Sequence, residues 1–227
     1  MDMRLLITAV AFVAASFSLH AEQFSSFYSA KKHLIKTLPA HSKSLYCGCD
    51  IKRQGKKLIP DASQCGYVPR NAVTRSGKAN ARATRIEWEH IVSAWEFGHQ
   101  LQCWQHGGRK NCRKVSKKFQ QMEADINNLA PAIGEINGDR SNYRFGFVAT
   151  EANQYGRCQV KVDFKRRVIE PPVYARKRIA DAYFYMQKTY GLKISDKQKK
   201  LFQAWQKQTF AAQNSNTTLL KKVSTGR

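Results

Sequence analysis

Apolar and polar positions divide this chain into helices and short strands joined by basic, glycine- and cysteine-bearing connections. Phe27, Ala30 and Leu34 recur at helical spacing with Lys31 and Lys32 opposite, predicting a first helix within 24–38. Tyr46 to Tyr67, rich in Cys and Gly, predicts short strands and turns. Ile86 to Trp95 carries two periods: Ile86 and Trp88 alternate as in a strand, then Ile91, Val92 and Trp95 follow a helix. The expectation is a strand running to Glu89-His90 and giving way to a helix. Phe119 to Leu129 predicts a helix stopped near Pro131, and Val160 to Phe164 alternates as a strand. Pro171-Pro172 precedes an amphipathic helix with Ile179, Ala182, Tyr183, Met186 and Tyr190 on one face, ended by Gly191. A last helix begins near Ser195, with Gln198 completing a capping box, and runs past Trp205. Between these lie a polar basic loop at 68–84, a loop with a charge run at 102–118, and a turn signal at 134–139. No internal repeat is present. The pattern is that of an α+β protein, a mainly helical single domain with short strands.

The N-terminus reads as an export signal. Arg4 precedes an apolar run from Leu5 to Phe17, and the small Ala21 follows. That run of 13 residues is too short for a bilayer, which needs roughly 20. The expected organisation is a signal peptide at 1–21, a folded domain at 22–213 and a polar tail at 214–227, expected to be disordered. No later stretch is apolar enough to cross a membrane. All six cysteines, Cys47, Cys49, Cys65, Cys103, Cys112 and Cys158, follow the signal. An even count after an export signal implies disulfides, with Cys103–Cys112 as a local closure and the other pairings open. Zinc is the competing reading of Cys47-Gly-Cys49, but no second matched pair follows.

Charge narrows the partners. There are 39 Lys and Arg against 16 Asp and Glu, a formal net charge of +23 in 227 residues. Such an excess draws polyanions by counterion release. Nucleic acid is favoured over other anionic partners such as membrane lipids or cell-wall polymers.

Within this basic chain, Arg85-Ile86-Glu87-Trp88-Glu89-His90 sets a carboxylate beside an imidazole. Hydrolysing a phosphodiester needs an activated nucleophile and counter-charge for the transition state. An imidazole with an ordinary pKa of about 6.5 can take a proton from water at neutral pH. A hard divalent cation takes oxygen donors, from carboxylates or amides. His90 is therefore the candidate general base and Glu89 the candidate metal ligand. In a regular strand the two would face opposite sides, so a joint site requires a bend or a change of element there. Glu87 reads better as a strand-face salt bridge. His99 reads as packing or hydrogen bonding, and His106 as loop surface. Asn137-Gly138 reads on its own as a tight turn. Arg109, beside Gly107-Gly108, is one of six cations in its run, and its bland reading is a solvated face. The 68–84 loop either reaches a backbone phosphate or is simply solvated.

Glu87-Trp88-Glu89-His90, Phe97-Gly98-His99-Gln100, Gln102-Cys103-Trp104, Gly107-Gly108-Arg109-Lys110-Asn111-Cys112 and Gly134-Glu135-Ile136-Asn137-Gly138-Asp139-Arg140-Ser141-Asn142 closely resemble the endonuclease I family. Those are periplasmic or secreted nucleases of the ββα-metal (His-Me finger) class. The likeness spans about Tyr46 to Trp205. It implies a sugar-nonspecific endonuclease that acts on DNA and RNA and leaves 5′-phosphate ends. It also implies one divalent cation, Mg²⁺ first, with Ca²⁺ or Mn²⁺ as alternatives. Carried over by motif, His90 is the general base, Glu89 and Asn137 the metal ligands, and Arg109 the arginine on the cleaved phosphate, which overrides the turn reading of Asn137. A monomer without membrane contact, exported to the periplasm or beyond, is expected. Ser93 stands where proline is common in the family, and the extra cysteine pair of some members is missing. Two other readings remain from the residues: a metal-independent secreted ribonuclease, and a non-catalytic basic nucleic-acid-binding protein.

Overall fold

The computed structural model describes residues 24–149 and 153–208. The expected signal peptide at 1–21 and polar tail at 214–227 lie outside the described residues. Helix α1 (Phe27–Thr37) starts at Ser26, whose hydroxyl accepts from the Ser29 amide while Ser29 accepts from the Ser26 amide. Two otherwise orphaned donors are thus satisfied. The Cys- and Gly-rich stretch forms a hairpin of β1 (Ile51–Gln54) and β2 (Lys57–Pro60), turning at Gly55 with φ +57°, followed by one turn of α2 (Ala62–Cys65).

The centre is built from β3 (Ile86–His90), which ends as the two periods foretold, followed by α3 (Ala94–Gly98) capped by Ser93. Next come α4 (Gln102–Gln105) and α5 (Gly108–Val115). The charge run expected as a loop at 102–118 is therefore largely helical. Its cations obscured the pattern, because they occupy the outer face while Cys112 is fully buried and bonded to Cys103. The run is broken at His106-Gly107, where Gly107 and the first residue of α5, Gly108, have positive φ, and at the extended Ser116 between α5 and α6.

Helix α6 (Lys117–Ala124) is shorter than the helix expected to reach Leu129. Asp125 ends it by accepting from the Asn127 amide, which starts a single 3₁₀ turn. Leu129 instead opens β4 (Leu129–Ile133), antiparallel to β3. Pro131 is tolerated opposite Trp88 because this sheet has only two strands, and its carbonyl still accepts from the Leu45 amide. The turn expected at 134–139 is α7 (Gly134–Arg140), continuous with β4.

Beyond it, β5 (Arg144–Phe145), β6 (Lys161–Asp163) and β7 (Val168–Glu170) form a small sheet in the order β5-β7-β6. Helix α8 (Val173–Tyr190) buries Ile179, Ala182, Tyr183 and Met186 and stops at Gly191 with φ +70°, as its pattern predicted. Helix α9 (196–208) starts at Ser195, whose hydroxyl accepts from the Gln198 amide. The Gln198 side chain leaves the expected box and donates to the Phe145 carbonyl. No described helix is long and apolar enough to cross a membrane.

Two apolar clusters position the centre. The larger joins α3, α6, α8 and α9 to β4 and the small sheet. The smaller, of Ala30, Leu58, Trp88, Ala124 and Leu129, fastens α1 and α6 to β3. All six cysteines form disulfides: Cys47–Cys158, Cys49–Cys65 and the expected Cys103–Cys112, leaving no thiolates for zinc.

Candidate active site

Strand alternation sends Glu87 and Glu89 to one face of β3, and α7 lies across that face. Asn137 Nδ2 donates to Glu87 Oε2 at 2.9 Å. One helical turn on, Arg140 Nη1 stands 3.0 Å from Glu89 Oε1 and also donates to the His90 carbonyl. Tyr46 donates its hydroxyl to the same Oε1 at 2.7 Å. Burial pushes the Glu89 carboxyl above its ordinary pKa, against the pull of Arg140 and Tyr46. Glu87 is also half-buried, but it accepts from Arg82 and Arg85, which hold it below the ordinary carboxylate range despite that burial. The strand-face salt bridge expected of Glu87 is therefore present, with a third partner, Asn137, that was not foreseen.

Every polar side chain of α7 is engaged. Glu135 accepts from the Tyr67 hydroxyl and from the Arg70 and Asn71 amides, pinning the start of the 68–84 loop. Asp139 accepts two bonds from Arg70 and one from Tyr155. The basic loop is thus anchored at Arg70 and Arg82, while Arg75 and Lys78 stay exposed. Gly138 is not at positive φ. A Cβ there would run into the Arg82 guanidinium, so the glycine supplies room and not a turn.

His90 is on the other face of β3, 92% buried and packed on Phe27 with ring centroids 4.5 Å apart. Its Nε2 lies 2.8 Å from the Glu123 carbonyl oxygen. A carbonyl can only accept, so Nε2 carries the proton and Nδ1 is left as an acceptor. Burial pushes the imidazole down to about 4, keeping it neutral at ordinary pH. The Glu123 carboxylate, itself buried, binds Arg109 Nε at 2.6 Å and Arg113. Those guanidiniums hold Glu123 below its usual range although burial opposes them. Arg109 and Arg113 therefore stand apart from the other cations of their run. Glu123 was missed from the sequence, though it is the first carboxylate after Glu96 and follows all six cations. Arg140 was missed as well. Its signal is its position one turn after Asn137. His99 stacks on Trp95 at 4.1 Å, and His106 is exposed at the end of α4, both as expected.

Glu89, His90, Arg109 and Asn137 all line one open cleft of about 1370 Å³. Its rim carries Lys31, Lys32, Lys56, Lys57, Arg85 and Arg167. The four sequence candidates thus line one cleft, Glu89 and Asn137 from the face of β3 that α7 crosses, and His90 and Arg109 from the face that carries Glu123.

The cleft's oxygen donors suit a hard divalent cation. Among the described residues, neither Glu89 Oε2 nor Asn137 Oδ1 makes a hydrogen bond. No three His, Cys, Asp or Glu side chains of the described residues cluster as a complete cage. Two protein oxygens fit an ion such as Mg²⁺, which keeps water and substrate oxygens in its shell.

The endonuclease I family model matches residues 26–223 of the chain. An extracellular deoxyribonuclease of Aeromonas hydrophila is 53% identical over 190 residues, covering 83% of this chain and 79% of that protein. A periplasmic deoxyribonuclease of the same organism is 53% identical over 191 residues, covering 84% and 77%. Endonuclease-1 of Buchnera aphidicola subsp. Acyrthosiphon pisum (strain APS) is 50% identical over 182 residues, covering 80% and 70%. With a match of this extent, the chain belongs to the endonuclease I family.

Proposed function

We propose that the protein is an exported endonuclease that hydrolyses phosphodiester bonds of DNA, and of RNA, without sequence preference, leaving 5′-phosphate ends. The +23 charge and the basic rim hold the backbone, not the bases. His90 Nδ1 takes the proton from the attacking water, and Arg109 neutralises the phosphoryl oxygens as negative charge builds. Glu89 and Asn137 hold one divalent cation, which when bound supplies Lewis-acid stabilisation of the phosphoryl and leaving oxygens. Arg140 and Tyr46 keep Glu89 oriented, and the Glu123 carbonyl keeps His90 in the tautomer that can accept. Export is supported by the signal-like N-terminus, the three disulfides and the extracellular and periplasmic names of the relatives.

The observation that carries this reading is His90 Nε2 on the Glu123 carbonyl, because it leaves an unprotonated nitrogen in a cationic cleft. The test is digestion of plasmid and of RNA by the oxidised protein, with and without EDTA, alongside His90→Ala. Both substrates should be cut, and EDTA should stop both. His90→Ala should lose about 10²–10⁴-fold in rate while binding is kept. RNA-only cleavage that survives EDTA would reveal a metal-independent ribonuclease. Binding without strand breaks, even with Mg²⁺, would leave a nucleic-acid-binding protein.

A further inference from the structure

We infer that Glu87 is a positioning residue for the metal ligand Asn137: it fixes the amide so that its oxygen, and not its nitrogen, is presented to the cation. This rests on the reading of Asn137 as a ligand in the proposed function. An amide side chain has two ends of equal size, and only its oxygen can bind a hard cation. Something must choose between them. The Glu87 carboxylate accepts and cannot donate, and it meets Asn137 through Nδ2 at 2.9 Å. Only one orientation of the amide is compatible with that contact. Oδ1 is then turned away from Glu87 and has no hydrogen-bond partner among the described residues.

The carboxylate is itself held. Glu87 Oε1 accepts from Arg82 Nε and from Arg85 Nε and Nη2, and Oε2 accepts from Arg82 Nη2 as well as from Asn137. Two arginines, donating to both of its oxygens, hold the Glu87 carboxylate as an acceptor and fix it, and the bare Gly138 gives Arg82 its place beside α7. The relay therefore runs from the basic loop through Glu87 to the amide. Partners of this kind, one bond removed from the ion, set metal affinity by about 10–100-fold.

Glu87→Gln is the informative change. The three guanidinium donors at Oε1 claim the single oxygen of glutamine. Its NH₂ then faces Asn137 donor to donor, and Asn137 relieves the clash by turning Oδ1 inward. Binding of Mn²⁺ alone, without nucleic acid, is measured by calorimetry and by loss of the free-ion electron spin resonance signal. Glu87→Gln should weaken it about 10–100-fold. The control is the same change in an Asn137→Asp background, where both side-chain oxygens are alike and no orientation need be chosen. There Glu87→Gln should leave Mn²⁺ affinity unchanged or raise it, since it removes a carboxylate facing another. Equal weakening in both backgrounds would mean that Glu87 acts only through charge or folding and would overturn the inference, as would no weakening in either. If Asn137→Ala binds Mn²⁺ as the unaltered protein does, the ligand assignment itself fails, a separate result.

Should Glu87→Gln fail to fold, the unaltered protein still gives an answer. The side-chain amide signal missing from the ¹⁵N spectrum of Asn137→Ala should exchange slowly in metal-free protein. Exchange as fast as that of exposed Asn side chains would overturn the inference.

Discussion

Arg109 shows what a single residue's geometry adds to its sequence position. It is one of six cations in its run, yet its guanidinium is bonded to a buried carboxylate whose own carbonyl holds the proposed base. Arg109→Ala should slow the single-turnover rate about 10²–10³-fold with substrate affinity little changed. Arg109→Lys should recover only part of it, because lysine keeps the charge but cannot bond Glu123 through an Nε while leaving the rest of a planar fork for phosphate. A normal rate in Arg109→Ala would return it to the solvated face. His90 and Glu89 were legible in sequence because a carboxylate beside an imidazole is rare in so basic a chain. Glu123 was not, since half of its contribution comes from a backbone carbonyl, which every residue has. Whether a carbonyl meets a given imidazole depends on where α6 ends against β3.

At the scale of elements, α7 was the largest misreading. Asn137-Gly138 carries the composition of a turn, and composition cannot tell a glycine needed for a positive φ from one needed for space. Both uses make Gly→Ala unfavourable, whereas a helical glycine that serves neither predicts the opposite sign. In an ordinary exposed helix, Gly→Ala stabilises by about 1 kcal/mol. Here the added methyl pushes the movable end of the Arg82 side chain off Glu87, so Gly138→Ala should forgo that gain and destabilise by about 1 kcal/mol, the low end of the cost of overpacking. Thermal melting of the oxidised protein reads the sign directly, and a raised midpoint would mean that Arg82 gives way and that Gly138 is an ordinary helical glycine. The helix hidden in 102–118 failed to show for a related reason. Its apolar face rests on a disulfide-bonded cysteine, which periodicity counts poorly. Helices α1 and α8 were legible because large apolar side chains mark their buried faces.

For the molecule as a whole, charge named the substrate class before any residue did. If about six cleft cations each displace a counterion, affinity for DNA should fall about 10³-fold between 50 and 200 mM salt. Fluorescence anisotropy of labelled DNA with metal-free protein measures that slope. A flat response would mean that the rim cations do not touch phosphate. The class of the fold, α+β and mainly helical, was also readable. Of the disulfides only the local Cys103–Cys112 was; the other two pairings were not, because Cys47–Cys158 depends on how the small sheet returns to the segment ahead of β1. That cross-link spans 111 residues, and Glu87, Glu89, His90, Arg109, Glu123, Asn137 and Arg140 all fall between its ends. Closing so long a loop contributes about 4–5 kcal/mol in chain-entropy terms. Its first cysteine adjoins Tyr46, the buttress of Glu89. As the polypeptide emerges from the ribosome, its second cysteine appears only after the whole proposed catalytic set has been made. The bond beside Tyr46 is thus a late event in biogenesis, and a nascent or reducing-compartment chain lacks the cross-link next to the buttress of Glu89.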